Sequence, residues 1–473
     1  MKKIRLHGLT FALLAVALCW ILILCACNGG PSPADTDPTE TEGTTSMPAE
    51  IPTEAPTEVP TEAPTEVPTE TPTEAPTEAP TEAPKTEPAI SELVIDGDNN
   101  ARILVAYYKE NPPSDSIYHS AQNFSKIIRS KTGLSAKVTR VRQTSDNDSV
   151  TFLIGDTPYE ETETVRATLP ENSYTVQILG RKIVILGSSE VLTVKALKEF
   201  CTRVLENSEN TAEGRLILRP EDCFTVTLER DYTVADMAAD GLIVTCDYAE
   251  ILKAAGKGQY SVAQGAASDG TYVYMAMRNS DDTGAIIVKH RLDDGSRVAE
   301  SPVLKLGHAN DMTYNSEKHL LVVAHGQTEG KILTLVDPDT LELVADVNIE
   351  KGSGAITYNP ATNSYAISQG GKSLHMLDAE LGYVKSFERT KLSGYTAQGM
   401  GSDETFIYFP MSGSGENILD TFNWEGERVA KIILPTPHES ESLFYVNGRH
   451  FVSFNVNGTL VYEIFFRCIL PEA

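Results

Sequence analysis

The sequence predicts two folded domains of different class behind a disordered Pro/Thr/Glu-rich stalk. The first is α/β, a small two-layer sandwich; the second is all-β, a five-bladed β-propeller. Three observations carry this. Positions 31–90 hold 14 of the 26 prolines and no Phe, Trp or Tyr. Helical and strand periodicities alternate over 91–222. Over 224–473 a unit of 43 to 46 residues recurs, the length of a propeller blade of four short strands.

The chain opens with Lys2, Lys3 and Arg5 ahead of an apolar run from Leu9 to Leu24. That run has the length of a signal-peptide core and is short for a spanning helix. It ends in Leu24-Cys25-Ala26-Cys27, which resembles the bacterial lipoprotein lipobox: an aliphatic residue three before the cysteine and a small residue just before it. Cys27 fits, whereas Cys25 follows Leu24, too large for the cleavage position. The resemblance implies a signal peptide over 1–26 and lipidation of Cys27. It also implies a body held outside the cytoplasmic membrane by an anchor rather than a span. The competing reading is an uncleaved anchor helix.

The linker over 27–90 contains the stalk. From Pro52 to Pro84 it repeats Pro-Thr-Glu-Ala/Val with period four. Proline at that spacing breaks helices and sheet ladders, and the like charges repel. With so little apolar surface to bury, the segment cannot offset its ordering entropy. Some 60 residues at about 3.1 Å each would reach up to roughly 190 Å, enough to carry a domain through a thick cell wall.

Of the formal charge of −27, the stalk (31–90) accounts for −13 and the first 30 residues for +3, leaving −17 on 91–473. Without a basic stripe, so acidic a body repels phosphate backbones, and nucleic acid is excluded as a partner. Four cysteines remain beyond the leader: Cys201, Cys223, Cys246 and Cys468. They form no disulfide scaffold and no Cys-x-x-Cys metal pair. Free thiols and two bridges stay open as readings.

Over 91–222, Arg102–Tyr108 reads as a strand. Ile117, Ala121, Phe124 and Ile128 recur at helical spacing, and that helix ends near Gly133. Strands follow at 136–141 and 150–154, then a hairpin turning at Gly180-Arg181. A second helix carries Val191, Val194, Leu197, Cys201 and Val204, and Leu216–Leu218 closes the unit. Lys131-Thr132-Gly133, Phe152-Leu153-Ile154-Gly155-Asp156-Thr157 and the hairpin running into Gly187 resemble the non-catalytic N-terminal domain of bacterial hexosaminidases and α-glucuronidases. That resemblance implies no active site, because those families' catalytic residues lie in a barrel for which this chain has no room.

In the second domain the anchors Ala266, Met312, Ile356, Met400 and Leu443 are spaced 46, 44, 44 and 43. Two alternating strand runs follow each anchor, and a polar turn recurs in phase, as in Asp293-Asp294-Gly295 and Asp337-Pro338-Asp339. The last unit lacks a fourth strand. Leu242–Cys246, ahead of the first unit, is expected to pair with Gly458–Phe466 and close the ring. A Cys246–Cys468 bridge would be compatible with that pairing.

Each anchor is expected to start an innermost strand, so the residues before it crowd one mouth of the central channel. The candidate ligand-binding residues are Gln264, His308, Asn310, Asp311, Gln398, His438 and Glu441. Amides, imidazoles and carboxylates around a concave mouth suit a polyhydroxylated or amine-bearing ligand. The bland alternative is that these groups hydrogen-bond orphan backbone at strand entrances. Gly307-His308-Ala309-Asn310-Asp311, Thr396-Ala397-Gln398-Gly399-Met400 and His438-Glu439-Ser440-Glu441-Ser442 resemble the mouth motifs of one propeller family. It includes phage receptor-binding domains, teichoic-acid-associated surface proteins and helveticin-type bacteriocins. Binding of a glycan or cell-wall polymer is what this resemblance implies. The third unit departs from it, with Ser353-Gly354-Ala355 at the mouth.

A glycosidase would need facing carboxylates, and Asp311 with Glu441 or Glu439 is the candidate pair. No Gly-x-Ser-x-Gly, His-Glu-x-x-His or phosphate-loop motif is present. Asp146-Asn147-Asp148 and Asp281-Asp282 lack calcium-loop spacing. The expectation is a non-catalytic, monomeric carbohydrate binder without cofactor or metal. A propeller glycosidase and a purely structural envelope module are the alternatives.

Overall fold

A computed structural model describes residues 92–97, 101–106, 114–145, 148–326, 330–370 and 372–472. The leader, Cys27 and the stalk lie outside the described residues, as do Asp146, Asn147, Gln327 and Gly371. Among the described residues no helix is long and apolar enough to cross a membrane. All of them fall in one compact unit, Lys85–Ala473.

The α/β part is built on a six-stranded sheet in the order Lys137–Val141, Arg102–Ala106, Thr151–Ile154, Lys182–Gly187, Ser173–Leu179, Phe224–Thr227. The first four strands run parallel and the last two antiparallel to their neighbours. Helix α1 (Ser116–Thr132) ends where Gly133 takes φ 73°, its N–H bonded to the Arg129 carbonyl. Helix α2 is Glu160–Thr168, and α3 is Glu190–Phe200, continued by a π turn, Cys201–Leu205. Phe124 of α1, Phe152 of the sheet and Phe200 of α3 meet edge to face at 5.4 to 5.9 Å.

The expected two-layer sandwich is corrected here. Leu104, Leu153, Val184 and Leu186 form a second apolar cluster with Tyr159 and Val165, so α2 covers the opposite face of the sheet. The cause lies in the central parallel strands, which are apolar at successive positions and need cover on both sides. The strand at Leu216–Leu218 does not close this sheet. It belongs to Arg215–Leu218, which pairs with Leu93–Asp96 in a separate three-stranded sheet, and Phe224–Thr227 forms the edge instead.

The rest of the chain is a β-propeller of four-stranded antiparallel meanders. Three are separate sheets: Val262–Ser268 to Arg297–Glu300, Asp311–Asn315 to Leu343–Asn348, and Ala355–Asn359 to Tyr383–Glu388. The next begins in two pieces, Tyr395–Ala397 and Gly401–Ser402, and continues through Phe406–Gly413, Asn417–Asn423 and Arg428–Leu434. The last comprises Glu439–Val446, Arg449–Asn455 and Gly458–Ile469, and its fourth strand is Ile243–Ala255, contributed from ahead of the first meander. That pairing runs from Ile243↔Ile469 to Ala255↔Gly458, longer than the segment read from sequence. Thr245 also bridges in parallel to Ile433 of the preceding meander.

The innermost strands touch in cyclic order, each against the next and the last against the first. Their backbones approach closely: a side chain on Gly265 would meet the Asp311 backbone at 2.5 Å, and one on Gly401 the Leu443 carbonyl at 2.1 Å. Separate apolar clusters fill the gaps between consecutive meanders. The largest cluster spans the last gap and runs on into the α/β core. The C-terminal segment clamps the two parts together. Leu470 N–H donates to Ser120 Oγ at 3.0 Å, its carbonyl accepts from Asn123, and Arg467 bridges Asp247 and Glu190.

All four described cysteines are free. Cys246 pairs with Phe466 and Cys468 with Val244. That diagonal offset, about 7–8 Å, exceeds the reach of a disulfide, which corrects the bridge considered from sequence.

Candidate functional site

Asp311 stands where the innermost strands meet. It is fully buried on an innermost strand. Its Oδ2 accepts from the Ile356 N–H at 2.9 Å and the Met400 N–H at 2.8 Å. Its Oδ1 accepts from Ser442 Oγ at 2.7 Å, and Ser442 Oγ also lies 3.2 Å from the Ala266 carbonyl. One carboxylate thus ties three other innermost strands to its own, and through Ser442 reaches the remaining one. Burial pushes its carboxyl up to about 7, opposed by the hydrogen bonds from Ser442, Ile356, Met400 and Met312.

Asn310 extends this cross-bracing, its Nδ2 donating to the carbonyls of Gly354 and, at 3.0 Å, Gln398. Gln398 in turn donates to Glu439 at 2.5 Å. Gln264 is buried and donates to the neighbouring Ala263 carbonyl. Glu441 is 3 % exposed. Burial and then the adjacent Glu439 push its carboxyl well above the usual range, against Arg278 and a hydrogen bond from Asn455. His308 is half-buried and pairs through Nδ1 with Asp282 Oδ2 at 3.0 Å. His438 is half-buried, its backbone carbonyl held by Asn417 Nδ2 at 2.6 Å and its ring against Phe454.

Two groups at this mouth escaped the sequence reading. Arg278 donates to Asp282 at 2.8 Å, so the Asp281-Asp282 turn holds an Arg–Asp–His chain. Ser442 was read only as part of a motif. The signal for Arg278 was its place at the end of the second strand of its meander, just ahead of the acidic Asp281-Asp282 turn. His325 is different. It is buried and bonded to Thr334 at 2.6 Å, a core histidine. Among the described residues no three His, Cys, Asp or Glu side chains are placed to hold a metal.

The opposite end of the channel opens into a cavity of about 310 Å³ to which every meander contributes. None of the seven residues singled out from sequence lines it.

No protein-family model matches the chain, and no curated protein matches it. Among solved structures it is similar to a glutaminyl cyclase from Myxococcus xanthus, at 12% identity and TM-score 0.36 over 48% of this chain and 99% of that one. It is also similar to BamB from Moraxella catarrhalis, at 15% identity and TM-score 0.26 over 46% and 63%. A WD40-repeat structure gives 11% identity and TM-score 0.29 over 45% and 62%. These neighbours are propeller-like and unrelated to one another in function.

Proposed function

We propose that the chain is a surface lipoprotein, anchored through Cys27 and carried outward on its Pro-Thr-Glu stalk. Its five-bladed propeller binds a carbohydrate or cell-wall glycopolymer without altering it chemically. The blade count is supported by the cyclic contacts of the innermost strands and by the strand that Ile243–Ala255 lends to the last meander.

The observation that carries the non-catalytic reading is the state of Asp311. A glycosidase must present a carboxyl oxygen to the scissile bond. Both oxygens of Asp311 are instead held by donors from neighbouring strands, in a position without solvent exposure. In this reading Gln264, Asn310, Asp311 and Glu441 are the floor, and the less buried His308, Gln398, His438 and Glu439 form the rim that meets the ligand. The −17 on 91–473 favours neutral or cationic polymers over bare polyphosphates.

The test is fluorescence-polarisation titration of labelled wall-polymer fragments with residues 85–473. Gln398→Ala and His438→Ala each remove rim hydrogen bonds, and each should weaken binding about three- to tenfold with an unchanged melting temperature. Unchanged affinity in both variants would refute the rim as the site.

A further inference from the structure

The 310 Å³ cavity at the far end of the channel has chemistry of its own, independent of the glycan rim. The repeat builds it. Ser268, Tyr314, Tyr358, Ser402 and Tyr445 each stand two residues after an anchor of the internal repeat, so equivalent positions set three tyrosines and two serines around one ring. The tyrosines are braced by the hairpin that follows each of them. Tyr314 Oη lies 2.7 Å from His319 Nδ1, Tyr358 Oη donates to Asn363 at 3.0 Å, and the Tyr445 ring packs on His450 at 4.7 Å. In every case the partner is five residues on, a spacing that fixes the ring before any ligand arrives.

The charge around this ring has one sign. Asp269 and Glu404 line the cavity, and among the described residues its walls contain no Lys or Arg. Nearby basic side chains are committed to other carboxylates: Lys318 to Glu380, His319 to Asp339 and His450 to Asp403. Beyond the effect of burial, acidic neighbours hold the Tyr314 and Tyr445 hydroxyls above their ordinary range, Asp269 and Asp339 in the first case and Asp403 and Glu404 in the second. An anion would be repelled here. Hydroxyls that a neutral polyol would need are spent within the protein, Ser268 Oγ on the Tyr272 carbonyl, Ser402 Oγ on the Tyr358 carbonyl and Tyr358 Oη on Asn363. Aromatic walls beside acidic side chains attract a positive charge that is weakly hydrated, and the volume is at the small end of the roughly 300–1,000 Å³ typical of small-molecule sites.

We propose that this cavity binds a small organic cation, its ammonium or quaternary ammonium group seated among Tyr314, Tyr358 and Tyr445 and paired with Glu404. The rim at the opposite mouth and this cage are separate sites, so one chain can hold a polymer and an amine-bearing group at once.

Isothermal titration of residues 85–473 tests this with two cations, choline and glucosamine, against their uncharged counterparts, 3,3-dimethylbutan-1-ol and glucose. At least one cation should saturate, with its counterpart about tenfold weaker or more. Which cation saturates distinguishes a quaternary from a primary ammonium. Glu404 is exposed, so Glu404→Gln tests the charge without touching the core. It should weaken the cation about threefold, with a smaller effect at high salt. Tyr445→Leu should cost about tenfold while Tyr445→Phe keeps binding. The proposal is overturned if neither cation saturates at millimolar concentration. It is equally overturned if the uncharged counterparts bind as well, or if Glu404→Gln and Tyr445→Leu leave affinity unchanged.

Discussion

Replacing Asp311 separates a structural pin from a catalytic acid. In Asp311→Ala the buried N–H groups of Ile356 and Met400 lose their acceptor, and Ser442 keeps only the Ala266 carbonyl. Each orphaned buried donor costs about 1–3 kcal/mol. The pair costs about 2–6 kcal/mol, toward the lower end because a desolvated carboxyl leaves as well. Against a total stability of about 5–15 kcal/mol, the melting temperature should fall by roughly 2–7 °C for a unit of this size.

Asp311→Asn should behave differently. The amide oxygen can take over both N–H groups, and the amide nitrogen can donate to Ser442 Oγ, whose own proton turns to the Ala266 carbonyl 3.2 Å away. Every partner is kept, so this variant should melt within about 2 °C of the wild type near neutral pH. A pH series adds a sign. The Asp311 carboxyl sits at about 7 in the fold against 3.8 ordinarily. Between those values the unfolded chain has released the proton and the folded chain has kept it, so this group's contribution to stability falls as pH rises from about 4 to 7. Asn abolishes that contribution. Melting curves at about pH 5 and about pH 8 should therefore show wild type losing stability relative to Asp311→Asn as pH rises. If Asp311→Ala melts with the wild type, or if wild type and Asp311→Asn run parallel in pH, the pin does not exist.

Asp420 is buried between Arg389 at 2.9 Å and Arg428 at 2.7 Å, so Asp420→Ala should cost about 3–5 kcal/mol by leaving guanidinium charge in the core; a melt within 2 °C of wild type would contradict this. Burial pushes the Cys201 and Cys468 thiols up to about 12 and Cys246 higher still, while Cys223 is only half-buried. Native residues 85–473 should therefore release thiolate to a disulfide reagent at Cys223 first, with the other three reacting only on unfolding; fast reaction at all four would be inconsistent with this packing. Cys27→Ser should abolish incorporation of a palmitate analogue and membrane retention, and unchanged labelling would remove the anchor.

The parts of the fold legible in the sequence were those written in short-range periodicity. The recurrent spacing of Ala266, Met312, Ile356, Met400 and Leu443 marked each innermost strand, although Ala266 and Leu443 lie within their strands and Met400 falls between two short pieces rather than at a strand start. The acidic turns in phase with it proved to be Asx turns, as where Asp337 Oδ1 accepts from the Asp339 and Thr340 N–H groups and Asp378 Oδ1 from Glu380 and Gly382. Helix α2 escaped because its first turn is Glu160, Glu161 and Glu163 and only Thr162 and Val165 are buried, too few apolar residues to mark a face. Leu93–Asp96 and Phe224–Thr227 escaped because each is a four-residue strand whose partner lies some 50 to 120 residues away. Phase singled out the residues that precede each anchor, yet phase says nothing about what they bond. Asp311 reaches donors 45, 89 and 131 residues away, and only the closed ring turns a candidate acid into a brace. The far cavity was invisible for a related reason, since each tyrosine of its ring reads alone as an ordinary strand residue.

The most direct measurement incubates residues 85–473 with purified cell-wall glycopolymers and follows polymer retention and newly formed reducing ends in the same samples. A non-catalytic propeller retains at least one polymer saturably, loses that retention in Gln398→Ala, and generates no reducing ends above the protein-free control. Reducing ends that rise with wild-type protein and vanish in Asp311→Asn would contradict it.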